Sequence, residues 1–114
     1  MTSLLAGQDD DIRRVTVRKL TLGKPLYAES KKNEFAYFRV HHADFRSRVL
    51  AVHVVPEGDC DPDLYVSSDE HELANRAQYS WKSTLVGRDV VFVHPDDPAL
   101  ARSRQTGVFM VGVL

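Results

Sequence analysis

Three aspartates at alternate positions, Asp59, Asp61 and Asp63, crowd the loop Gly58-Asp59-Cys60-Asp61-Pro62-Asp63. Carboxylates that close repel one another unless a cation sits among them. Calcium takes six to eight oxygens, and carboxylates alternating along a loop can converge on one ion. Asp96 and Asp97, in a second turn, are further ligands if the loops of a sandwich gather at one end. The same residues suit a plainer role, because aspartate caps nearby N–H groups in turns. EF-hand spacing is excluded by Pro62 and by the lack of a glycine at the sixth position. The direction of the carboxylates separates the two roles.

The other reactive side chains point to no reaction. His41 and His42 are neighbours on a strand, so they face opposite ways and cannot chelate one ion together. His53, His94 and Cys60 have no recognisable zinc spacing. A catalytic cysteine needs a base beside it, and Cys60 is flanked by Asp59 and Asp61 instead. Ser67, Ser68 and Ser83 lack a Gly-x-Ser-x-Gly context, and no Gly-rich phosphate loop is present. Tyr65, Tyr79 and Trp81 form an aromatic set that serves either as a binding platform or as core. The chain is therefore expected to be noncatalytic.

Composition narrows the class. The chain has 114 residues, of which 43% are apolar, enough for one modest core. Fifteen basic and 16 acidic residues leave a net charge of −1, so a basic face for nucleic acid is not expected. Arg13-Arg14, Arg18-Lys19 and Lys31-Lys32 bias the first third toward positive charge, with Arg102 and Arg104 later. The single cysteine excludes an intrachain disulfide and favours a reducing compartment. The first residues carry no basic region ahead of a long apolar run, as a secretory signal would. No apolar run reaches the ~20 residues of a membrane span. A cytoplasmic protein is expected, with cytoskeletal association among its scaffold roles.

The elements that position these residues are strands. Residues 1–12 read as a loose arm and residues 13–114 as one domain. Residues 15–22 alternate apolar and polar, and Gly23-Lys24-Pro25 ends them. Leu26-Tyr27-Ala28 reads as a short strand. In residues 35–42, Ala36, Phe38 and Val40 mark the apolar side. Residues 46–55 hold a central strand with Leu50, Val52 and Val54 on one side and Val49, Ala51, His53 and Val55 on the other. Leu64-Tyr65-Val66-Ser67, Tyr79-Ser80-Trp81, residues 90–94 and residues 107–114 complete the strands. Tyr79 and Trp81 are expected on one face. Residues 69–75 read as a short helix capped by Ser68 or Asp69, and residues 99–106 leave room for about two turns. Seven or eight short strands with turns between them predict an all-β, antiparallel, jelly-roll-like sandwich. The chain stops within an apolar strand, which suggests a domain excised from a longer protein with its last strand left as an unpaired edge.

Three stretches carry a family likeness: Phe35-Ala36-Tyr37-Phe38-Arg39-Val40, Asp61-Pro62-Asp63-Leu64-Tyr65-Val66, and the strands at Gly87-Arg88-Asp89-Val90-Val91-Phe92-Val93 and Gly107-Val108-Phe109-Met110-Val111-Gly112-Val113. Over roughly residues 20 to 114 the chain resembles the bacterial pre-peptidase C-terminal (PPC) domain, a jelly-roll sandwich. The resemblance implies a noncatalytic appendage, and some relatives bind calcium. Tyr79-Ser80-Trp81 and the absence of a segment after Val113 depart from the family pattern.

Two functions follow as expectations. The first is a protein-interaction or scaffold domain of a larger intracellular protein, without a cofactor, binding a partner or itself through an edge strand. The alternative is a calcium-dependent module for phospholipid or polysaccharide, with Asp59, Asp61 and Asp63 as ligands and the membrane surface as partner.

Overall fold

The computed structural model describes residues 15–29, 31, 33–58, 60–101 and 106–114. Seven strands form two sheets: β1 (Val17–Leu20), β2 (Ala36–His41), β3 (Leu50–Val54), β4 (Leu64–Ser67), β5 (Trp81–Ser83), β6 (Asp89–Val93) and β7 (Val108–Val113). The larger sheet has the order β1-β2-β7-β4-β5, and β3 pairs with β6 in the smaller one. The all-β sandwich expected from the strand spacing is the observed class. The expected arm at residues 1–12, Arg13-Arg14, Arg102 and Arg104 lie outside the described residues.

The period-2 pattern dictates the core. Phe38 and Val40 of β2, Phe109 and Val111 of β7, and Leu64 and Val66 of β4 point inward from the larger sheet. Leu50 and Val52 of β3 and Val91 and Val93 of β6 meet them from the smaller one. Each such side chain, fully buried, contributes about 1.5–3 kcal/mol. A short helix, α1 (Pro98–Ala101), closes one end with Leu100. Asp97 caps it, its Oδ1 accepting from Ala99 N at 2.9 Å, and Pro98 takes the first helical position.

Four expectations are corrected. β1 runs parallel to β2, Val17 opposite Tyr37. The connection between β1 and β2 is long enough for the crossover that a parallel pair needs. No strand forms at Leu26-Tyr27-Ala28, which lies exposed within that crossover. Residues 69–75 form no helix but a turn at 70–71, irregular chain and an isolated bridge at Asn75, with Asp69 Oδ1 accepting from His71 N at 2.9 Å and Asn75 Oδ1 from Ala77 N at 2.9 Å. Such local side-chain bonds compete with a helix. Finally, β7 is not an edge: it pairs with β2 on one side and β4 on the other.

A second, smaller cluster covers part of the outer face of the larger sheet. Leu73 and Ala74, in the turns before β5, pack over Tyr65 and Met110, with Phe35, Tyr37, Val15 and Val17 alongside. The approach is close enough that a Cβ on Gly112 would run into the Ala74 carbonyl oxygen.

Candidate binding surface

The acidic loop is built as a set of turns. Asp61 is exposed, and its Oδ1 accepts from Gly87 N at 3.0 Å, tying the loop before β4 to the turn before β6. Asp63 extends the β4–β7 ladder through its backbone, with reciprocal bonds of 3.0 Å to Leu114. Asp59 lies outside the described residues. In the second turn, Asp97 Oδ2 accepts from Trp81 Nε1 at 2.8 Å while Oδ1 caps α1. The described carboxylates of Asp61 and Asp97 thus take backbone or indole donors. Among the described residues, no group of three His, Cys, Asp or Glu stands close enough to hold a metal ion.

Asp89 is a buried carboxylate that was not among the site residues expected from the sequence. It is 0% exposed at the start of β6. Its Oδ1 accepts from Ser83 Oγ and from Leu85 N, both at 2.9 Å, so it pins the β5–β6 connection. Its Oδ2 has no partner among the described residues. An aspartate opening an apolar strand, two residues after a glycine, is the available sequence signal.

The aromatic set divides between the two faces of the larger sheet. Trp81 pairs with Val66, turns inward and packs on Phe109 with centroids 6.2 Å apart. Tyr65 points the other way, where it meets Tyr79 at 5.6 Å and Phe35 at 5.8 Å, and Phe35 stacks on Tyr37 at 5.6 Å. Tyr79 and Trp81 therefore do not share a face. Pairing with β4 begins only at Trp81, and the chain at Ser80 still crosses over, held by Ser80 N to Val66 O at 2.8 Å. Tyr79 is the exposed member, at 42%, with Lys82 Nζ 5.3 Å above its ring. Phe35 and Tyr37, not singled out as site residues from sequence, join Tyr65 in a satellite core instead. Under the same cover, Glu72 accepts from Ser67 Oγ at 3.3 Å. Its carboxyl is held above the usual range, chiefly by burial and then by the charge of Asp69, with the Ser67 bond opposing.

The smaller sheet presents the opposite situation. Its inner face is core, but its outer face is uncovered among the described residues. Val49 is 46% exposed, Val55 59% and Phe92 51%. Ala51, His53 and His94 are exposed as well. The register sets Ala51 opposite Phe92 and His53 opposite Val90. The Phe92 ring lies between His53, at 6.3 Å edge to face, and His94, at 6.5 Å. These side chains form one apolar strip with imidazoles on its flanks. Among the described residues the β3 backbone pairs only with β6, which leaves the N–H and C=O groups of its other edge without a strand partner there. At the start of that edge the Arg48 carbonyl is bonded to Nε2 of the buried His42 at 3.0 Å. Cys60, beyond the far end, is exposed with its Sγ 3.4 Å from the Glu57 carbonyl.

No family model matches the chain, and no curated protein or solved structure matches it.

Proposed function

We propose that this chain is a noncatalytic protein-binding module and that the β3–β6 sheet is its docking element. One observation carries the reading: an exposed apolar strip, Val49, Val55 and Phe92, runs alongside a strand edge that is unpaired among the described residues. A contiguous apolar surface costs free energy in water and marks an interaction site. An open edge adds directional hydrogen bonds to that attraction. A partner strand laid against β3 would satisfy the backbone and cover the strip together. The resemblance to PPC domains supports a binding role without catalysis, and the proposed setting is a larger intracellular protein.

The calcium-dependent alternative draws less support. Asp61 and Asp97 already accept backbone or indole hydrogens, which a cation would displace.

Site-specific cross-linking tests the docking reading. A photoreactive residue at Ala51 is expected to form protein adducts in cell extract. The same group at Arg39, exposed on the outer face of the larger sheet, is expected to form none. Equal adducts at both positions, or none at Ala51, would contradict the proposal.

A further inference from the structure

The edges of this sandwich differ in how they are protected. β1 carries exposed Arg18 and Lys19. β5 has three residues and includes exposed Lys82. β6 opens on Asp89, tied to Ser83 and Leu85 of the preceding strand and turn. Charge, shortness and cover are how proteins blunt sheet edges against unwanted pairing. Among the described residues β3 has none of these. Residues 49–55, Val-Leu-Ala-Val-His-Val-Val, contain no acidic or basic carboxylate, ammonium or guanidinium side chain, no glycine and no proline.

We propose that the occupant of the β3 edge is β3 of a second copy of this chain, antiparallel about a twofold axis at Val52. The product is a continuous four-stranded sheet in the order β6-β3-β3-β6. This inference rests on the docking reading given under Proposed function and names the partner.

The sequence of the edge is self-complementary in that register. Antiparallel pairing about Val52 sets Val49 against Val55 of the second copy and Ala51 against His53 of the second copy on the outer face. On the inner face it sets Leu50 against Val54 of the second copy and Val52 against itself. Every cross-strand pair then joins like with like in burial, since Leu50 and Val52 face the core and Ala51 and His53 are exposed. A register must shift in steps that keep each side chain on its face, and the adjacent ones fit worse. An axis at Ala51 brings the charged Arg48 against Val54. An axis at His53 brings Glu57 against Val49 and Pro56 against Leu50.

Charge points the same way. Arg46 and Arg48 precede the apolar run, and Glu57 and Asp61 follow it. Antiparallel copies place each basic end beside the other's acidic end, whereas parallel copies would place like charges together. An isologous contact of this kind closes after two subunits and does not propagate. The outer strips, each with Phe92, then lie on one face of the joined sheet.

A charge-swap experiment tests this pairing. In one variant Ala51→Lys and His53→Lys are combined, and in another Ala51→Glu and His53→Glu. Both positions are exposed, and circular dichroism with thermal melts confirms that each variant folds. Sedimentation equilibrium is run over roughly a thousandfold range of concentration, because small interfaces lie at the weak end of affinity. The parent is expected to pass from monomer to dimer. Each variant alone is expected to need at least roughly tenfold more protein, since like charges face each other twice. An equimolar mixture is expected to recover dimer through Lys–Glu pairs. A parent that stays monomeric, variants that dimerise as the parent does, or a mixture that does not pair would each overturn the inference. A monomeric parent that still forms adducts from Ala51 with a different protein would remove the second copy and leave the docking reading in place.

Discussion

At the scale of single residues, buried polar groups decide which turns are fixed. Asp89 is fully buried, and its Oδ1 is the acceptor for both Ser83 Oγ and Leu85 N. Losing Asp89 takes the acceptor from both part-buried donors and opens a hole where a 0% exposed side chain stood. Asp89→Ala is expected to lower stability by about 2 kcal/mol or more in urea denaturation. Asp89→Asn keeps the accepting oxygen and is expected to lose less. Equal losses in the two would show that the hydrogen bonds from Ser83 and Leu85 are not what Asp89 supplies. Glu72 gives the pH dependence. Its folded carboxyl sits above the ordinary value, so the folded chain holds that proton more tightly than the unfolded one. Its contribution to stability is then present in acid and is lost as pH rises through the raised value. Glu72→Gln keeps an acceptor for Ser67 and removes the charge. The variant is expected to melt up to roughly a few degrees above the parent at neutral pH and level with it in acid. A variant that melts lower at neutral pH would contradict this sign.

At the scale of elements, alternation was readable and connection was not. Leu64–Ser67 is the strand read from the sequence, and Leu50, Val52 and Val54 turn inward as their spacing requires. Those elements are short, β-branched and bounded by turns, so local physics determines them. Residues 69–75 carry helical composition but not a helix. Asp69 and Asn75 satisfy nearby N–H groups themselves, and Leu73 and Ala74 gain more by packing on the sheet. Tyr79 and Trp81 were separated by where pairing with β4 begins, which no spacing rule contains. Gly112 shows the same limit from the other side. It reads as a weak point in an apolar strand, yet the close passage of Ala74 requires a residue without a side chain. Gly112→Ala is expected to displace residues 73–75 and cost roughly 1–3 kcal/mol, read as a lower unfolding midpoint. A midpoint equal to the parent's would mean that this cover does not hold against β7.

At the scale of the whole molecule, the two sheets are unequally finished. The larger one is packed on the core by one face and, over Tyr65 and Met110, is covered on part of the other by Leu73, Ala74 and their neighbours. The smaller one has two strands, and a two-stranded ribbon alone is marginal in water. Here it is held by its inner face, while its outer strip and the β3 edge face solvent among the described residues. That asymmetry could not be read from sequence, because it depends on strand order and not on the composition of any strand. The acidic loop was legible as a place where a turn enters β4, and Asp61 serves that purpose through Gly87.

Amide hydrogen exchange across β3 tests the docking role of the smaller sheet most directly. The comparison is between the dilute chain and the chain with its occupant present, either a second copy at high concentration or a protein captured by cross-linking at Ala51. The outward-facing amides within residues 49–55 are expected to exchange readily when dilute and to slow markedly on association, with residues 17–20 and 81–83 unchanged. Association that leaves residues 49–55 as they were, or protects the β1 or β5 edge instead, would contradict that role.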